Sequence, residues 1–442
     1  MKPAVKRSVW AAILAIATAA TAAPRPPQPM ASYVVRPGDT LYTLAAQYFV
    51  GQNDFATVQR INHIANPYRI PVGRTLNIPK HLLRRELTAA RVKTFSGPVV
   101  VTVAGSKAAI KVGLPIGETS TIETGANAFL TLALADGSIV SIPSQSRVQV
   151  QRLRRIVMTG AVERDFAIER GRARAIVTPM PDPDSSFHIT TPVAVSAVRG
   201  TEYRVGYDPA EQEATTEVIE GKVAFASSDK HRNLLIPAGF GTSSDSAAPN
   251  TPIALLGAPV LVQPGRTQHE PELAFALEPM AAAKGYHVTI ARDAGFLDVI
   301  REEETATPST QMASLPDGTY FVRVSATDAN GLEGLAETYA FERRLNNVRT
   351  AMDQKQDRGH RYYQFRWDAQ GQGIPRFRFQ LGTCGEAAAP LVDEVSLDTR
   401  SITIRDLPAG TYCWRVMSLL FADGKANGAW SRSERFHIAT TR

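Results

Sequence analysis

Leu315-Pro316-Asp317-Gly318-Thr319-Tyr320-Phe321-Val322-Arg323-Val324 recurs 92 residues later as Leu407-Pro408-Ala409-Gly410-Thr411-Tyr412-Cys413-Trp414-Arg415-Val416. Each copy opens with a Pro/Gly turn. A run follows in which Tyr320, Val322 and Val324, or Tyr412, Trp414 and Val416, occupy alternate positions, the two-residue period of a strand with one face in a core. A motif repeated at this spacing marks two tandem units of one fold. The same offset sets Phe275 against Trp367 and the stretch 287–290 against 379–381. The sequence therefore predicts two β domains, at 259–343 and 361–440.

Upstream, 98–228 carries short alternating runs broken by Gly, at 128–135, 138–142, 148–150, 187–189, 202–205 and 217–219. That is an antiparallel β signature. A Ser/Ala/Pro-rich stretch, 243–259, separates it from the repeats. Helical spacing appears after Thr40, a cap candidate, in Leu41, Leu44, Ala45 and Tyr48, and again in Phe55, Val58 and Ile61. With extended runs at 33–35 and 76–78, segment 32–80 reads β-α-α-β. The predicted fold class is mainly β and multidomain. The basic connector 80–93 (Lys80, Arg84, Arg85, Arg91, Lys93) is expected to be a solvated linker helix, with attraction to an anionic wall or membrane surface as the alternative.

The chain has 442 residues, 44% hydrophobic and 21% charged, a globular balance that suggests roughly three domains at about 150 residues each. Residues 1–23 combine Lys2, Lys6 and Arg7 with an apolar run and Ala20-Thr21-Ala22, and read as a cleaved secretory signal. The run is shorter than the roughly 20 residues needed to span a bilayer, so the mature chain is expected to lack a transmembrane segment. Losing the signal leaves 46 Lys+Arg against 42 Asp+Glu, a net +4. This is too mild to imply nucleic acid.

An exported pair of cysteines, Cys384 and Cys413, is expected to be oxidised. The eight His residues never stand closer than 18 apart, and two thiols cannot close a zinc site, so no metal or other cofactor is expected. Nucleophile-elbow, phosphate-loop and dinucleotide-binding motifs are missing, so the chain reads as non-enzymatic. The run Arg301-Glu302-Glu303-Glu304 is expected to be a solvated loop, and Glu169 to Arg174 a charged outer face. Arg199 is expected to pair with Glu202 around a conformationally special Gly200.

Tyr33-Val34-Val35-Arg36-Pro37-Gly38-Asp39-Thr40-Leu41, with Ile61-Asn62, Asn66-Pro67, Ile70-Pro71-Val72-Gly73, Leu76 and Ile78-Pro79, resembles a LysM domain from end to end. The resemblance implies peptidoglycan, an N-acetylglucosamine-containing glycan, as the partner. It places the sugar between two loops, Gly38, Asp39, Thr40 and Leu41 on one side and Asn66, Pro67, Tyr68 and Ile70 on the other. The bland alternative makes Gly38, Asp39 and Thr40 a turn and cap, and Leu41 and Ile70 core. Tyr42 stands where Trp is common in the family, and 49–53 lengthens the loop between the helices.

Ile189-Thr190-Thr191-Pro192-Val193-Ala194, Val198-Arg199-Gly200-Thr201-Glu202-Tyr203-Arg204-Val205 and Val218-Ile219-Glu220-Gly221-Lys222-Val223 resemble the FecR-type periplasmic domain. That family implies an envelope protein partner. Its best-known members carry a cytoplasmic sigma-binding segment and a membrane helix where this chain has a signal sequence. The two repeats resemble fibronectin type III or immunoglobulin-like β-sandwiches, with Leu-x4-Tyr similar to their tyrosine corner. In such a sandwich Cys384 and Cys413 share the outward parity of adjacent strands, which suits a cross-strand disulfide. The expectation is a wall-tethered envelope protein, with a sensor or regulator as the alternative.

Overall fold

A computed structural model describes residues 29–228, 232–244, 251–385, 389–422 and 424–439. The expected signal, 1–23, lies outside them. The chain divides into two compact units, Met1–Arg84 with Val157–Thr159, and Arg85–Ile156 with Gly160–Arg442.

In the first unit, strand Met30–Val34 pairs antiparallel with Thr75–Pro79, setting Tyr33 opposite Leu76. Helices Leu41–Tyr48 and Phe55–Ile61 lie between them in sequence. The Thr40 hydroxyl accepts from the Thr43 amide while the Thr43 hydroxyl accepts from the Thr40 amide, so the first helix starts with both end donors satisfied. The Asn62 side chain donates to the carbonyls of Val58 and Asn77 and accepts from the Asn77 amide. This joins the second helix to the closing strand. Leu41, Leu44, Val58, Leu76 and Ile78 form the buried centre.

The connector is not a helix. After a short turn at Lys80–Leu82 it forms strands Arg85–Leu87 and Ala90–Ser96. Ala90 and Val92 turn inward while Arg91 and Lys93 face out, so a two-residue period decides the outcome over its charge content.

Strands from Arg85 to Ala254 close into a barrel, extending past both ends of 98–228. The fifteen-residue strand Val162–Ile176 belongs to both of its sheets. Up to Arg170 it pairs with Arg147–Ile156, and from Gly171 onward with Glu202–Asp208. Gly171, at φ +78°, makes the change of sheet; a Cβ there would lie 2.5 Å from the Ser146 hydroxyl. Phe166, Phe187, Ile189, Val218 and Phe225 fill the interior. Gly200 has φ +108°, and a Cβ would meet the Pro179 backbone at 2.7 Å. Arg199 does not pair with Glu202: it donates to the carbonyls of Met180 and Asp182, and Arg174 takes Glu202 at 2.5 Å. Arg174 reaches Glu202 from the directly neighbouring strand.

Both repeats are β-sandwiches. The first has a four-stranded sheet built on Gly285–Ala291 and Gly318–Thr327, with Leu273–Ala276 and Ser309–Met312 forming a second layer. The second pairs Ile374–Thr383 with Gly410–Ala422, and its other sheet begins with the hairpin Asn346–Asp357 and His360–Gly371, ahead of 361. Tyr320 donates to the Pro316 carbonyl and Tyr412 to the Pro408 carbonyl, at 3.1 and 3.0 Å, so both Leu-x4-Tyr corners close alike. Cys384 and Cys413 form a disulfide, with Cα atoms 5.0 Å apart.

The repeat offset holds in the corner strand but slips by one in its neighbour. Val288 pairs with Val324, whereas Phe379 pairs with Val416, an offset of 91. A one-residue slip exchanges the faces of a strand. His287, aligned by sequence with the core residue Phe379, therefore leaves the core of its own sandwich.

Candidate functional site

The two loops expected to hold a glycan are joined by their backbone, since the Leu41 amide donates to the Pro67 carbonyl at 2.9 Å. Gly38 sits at φ +91° with open space where a Cβ would be. Asp39 is committed to the turn: its carboxylate accepts from the Arg36 amide and from the Tyr33 hydroxyl. Burial, then the Asp39 contact, pushes the Tyr33 phenol up to about 12. Thr40 is the helix cap. Asn66 accepts from the Tyr68 amide, an Asx turn that fixes the second loop. Pro67 is half-buried beside them.

Leu41 and Ile70 are buried, 0% and 7% exposed, so their side chains support the loops from below. The apolar surface offered outward is aromatic. Tyr68, 64% exposed, stacks on Tyr42 with ring centroids 4.6 Å apart, and Tyr42 also meets Phe55 at 4.4 Å. Tyr42 was legible only as a departure from the family's Trp. It carries the same role of a ring on the first helix, with a hydroxyl whose hydrogen bond to Tyr68 raises its pKa.

A second charged constellation lies where the first sandwich meets the barrel. The Leu297 carbonyl accepts from the hydroxyls of Thr94 and Thr131, tying the loop after Gly285–Ala291 to two barrel strands. Glu333, on the loop after Gly318–Thr327, accepts from Arg204 at 2.8 Å and from Ser325 at 2.6 Å, and lies 3.3 Å from His287. His287 reaches Glu302 at 3.1 Å, and Arg172 reaches Glu304 at 3.0 Å.

Burial alone would lower the His287 pKa, but Glu333 and then Glu302 more than offset it and lift the imidazole to about 10. Burial would raise Glu333, and Arg204 and His287 instead hold it well below the carboxylate range. Burial does raise Glu217, against the pull of Arg204 3.8 Å away.

Glu302 is thus not part of a solvated loop. It lies on strand Val299–Thr305, its side chain is 10% exposed, and it pairs across the sheet face with His287. Donor atoms of His287, Glu302 and Glu304 come within 4.8 Å of one another. Arg172 and the His287–Glu302 contact make this trio an ion-paired cluster. Arg172 and Arg174 face the joint rather than an open outer surface. Sequence reading missed the network because its members stand as much as 161 residues apart.

A LysM domain model matches residues 33–79 and a FecR protein model residues 120–224. The chain carries these two domains in that order, followed by the two β-sandwiches. A solved anti-sigma factor candidate from Parabacteroides distasonis is 19% identical over 28% of this chain and 53% of its own, with a TM-score of 0.23. The chain thus spans about half the length of that relative. A two-domain fibronectin type III segment of chicken tenascin is 12% identical over 41% of this chain and 100% of its own, TM-score 0.18. Fibronectin(III)-like modules of Clostridium thermocellum CbhA are 10% identical over 40% and 90%, TM-score 0.19. No curated protein matches this chain.

Proposed function

We propose that this is a non-catalytic peptidoglycan-binding protein of the cell envelope, exported to a Gram-negative periplasm. In this reading the LysM domain tethers the FecR-type barrel and the two sandwiches to the wall. LysM and FecR domains are non-catalytic families typical of extracytoplasmic proteins. Among the described residues no helix is long and apolar enough to cross a membrane.

The observation that carries the reading is the exposed Tyr68–Tyr42 pair beside two loops locked together through Leu41 and Pro67. Aromatic faces pack against the C–H faces of sugar rings, and neighbouring turns present backbone groups for the acetamido arm. Gly38, Pro67, Tyr68 and the backbone around Asp39, Thr40 and Asn66 are the proposed contacts. Leu41 and Ile70 position them. Isothermal titration of the chain with a chito-oligosaccharide tests this: saturable binding that Tyr68→Ala weakens supports it, and no heat of binding at millimolar sugar rejects it.

A second reading makes the protein a sensor or regulator whose FecR-type domain engages an envelope protein. It is favoured by the FecR match over 120–224. Copurification of one defined membrane protein, lost on deleting the barrel, would move the conclusion there.

A further inference from the structure

A cavity of about 350 Å³ opens between the barrel and the first sandwich. Phe129, Pro143, Ile219 and Phe296 give it an apolar lining. Its volume lies in the range of small-molecule sites, which combine apolar walls with a few placed polar groups.

The cations around it find carboxylates at ion-pair distance, with one exception. Arg174 is matched by Glu202, Arg204 by Glu333, His287 by Glu302 and Arg172 by Glu304. Arg323, projecting into the same space, has no carboxylate partner among the described residues. Its guanidinium lies 3.8 Å from the Phe296 ring centroid, and its Nε–H donates to the Thr338 hydroxyl at 3.4 Å. Stacking and one weak hydrogen bond fix the plane of the group while leaving the terminal amino edge without an anion. Burial, and then Arg174 nearby, lower its pKa to about 10, so it remains a cation at neutral pH. Glu217, the remaining carboxyl of the wall, lies 3.8 Å from Arg204 and makes no ion pair with Arg323.

We infer that this cavity is a binding site for a small organic oxyanion, a carboxylate, sulfonate or phosphate monoester on an apolar body, held by Arg323 with its apolar part against Phe129 and Phe296. A guanidinium edge offers two parallel N–H donors to such a group. Both walls of the site are supplied only when barrel and sandwich are joined, so occupancy reinforces the joint.

The test uses the full chain and the fluorescent probe 8-anilinonaphthalene-1-sulfonate, an oxyanion on an aromatic body. Saturable binding is expected, with the neutral N-phenyl-1-naphthylamine binding at least about tenfold more weakly, as a charge-assisted contact implies. Arg323→Gln should weaken the sulfonate by about tenfold or more while leaving thermal unfolding in place. Ala336→Trp, at the exposed rim of the cavity, should block both probes. Displacement by phenylacetate against phenyl phosphate tells a carboxylate site from a phosphate site, and either supports the inference. It is overturned if wild-type binding does not saturate, if the neutral probe binds equally well, or if Arg323→Gln binds like wild type. Should Arg323→Gln not fold, Ala336→Trp decides: retained sulfonate binding overturns the inference and lost binding upholds it.

Discussion

Arg323 in the first sandwich and Arg415 in the second occupy the same place in the repeat, and their surroundings differ. Arg415 is exposed, lies 4.2 Å from the Trp430 ring centroid and donates twice to the Gln380 side chain. Arg323 stacks on Phe296 in the same manner, but the barrel covers it and turns its edge into a cavity wall. The cores differ in step. The second is aromatic, with Phe365, Trp367, Phe377, Phe379 and Trp414, and carries the disulfide. The first relies on Leu273, Val288, Ile290, Val322 and Val324, and its outer face is fixed by Glu333 and His287. One fold used twice thus gives a sandwich stabilised from within and a sandwich stabilised by what it docks against.

Removing Glu333 should have the largest effect. Glu333→Ala removes the carboxylate that Arg204 and His287 share, leaving Arg204 only Glu217 at 3.8 Å and His287 only Glu302, and about 3–5 kcal/mol of stability should be lost from the barrel and first sandwich in urea unfolding. The second sandwich should be unchanged, and loss of both together would erase the distinction drawn here. The converse is Cys384→Ser with Cys413→Ser, which reopens a 29-residue span and should cost the second sandwich about 3 kcal/mol. Calorimetry should place that loss in a transition separate from the joint.

pH sharpens the contrast further. His287 is raised from 6.5 to about 10, so its contribution is complete below pH 6.5 and fades as pH climbs toward 10. Glu302 and Glu333 are held below 4.5, so theirs is present above that value and fades on acidification. The joint should therefore be firmest between about pH 4.5 and 6.5, and His287→Gln should flatten the alkaline limb. A thermal melt that is level from pH 6 to 10 in the wild-type chain would contradict the network. The smallest effect lies outside both sandwiches: Tyr68→Ala removes one stacked ring and should weaken glycan binding by roughly fivefold, about 1 kcal/mol.

Much of the architecture was legible because it rests on short-range pattern. Alternation announced the strands, the Leu-x4-Tyr repeat announced both corners, and the Thr40 cap and Leu41–Leu44 spacing announced the first helix. The connector misled because its charge content resembled a solvated helix, while the buried positions, Ala90 and Val92, follow the period of a strand. The face of His287 was not legible, because a repeat offset that is sound in one strand is off by one in the next, and one residue is a whole face. Leu41 and Ile70 were assigned to the sugar by motif position, yet both point into the core, whereas Tyr42 offers the outward ring. The joint and its cavity could not be read because Arg204, His287, Glu302 and Glu333 come from four separate stretches that only the tertiary fold brings together.

The central claim is that the LysM loops hold the wall. Sedimentation of the chain from residue 24 onward with purified insoluble peptidoglycan, at low and high salt, tests it most directly when run beside Tyr42→Ala/Tyr68→Ala. Stacking and hydrogen bonding to sugar survive salt, whereas attraction of a basic chain to an anionic wall is screened. The account predicts that the wild-type chain pellets at both salt concentrations and that the double variant remains largely in the supernatant. Pelleting only at low salt, or equal pelleting of the two proteins, would contradict it.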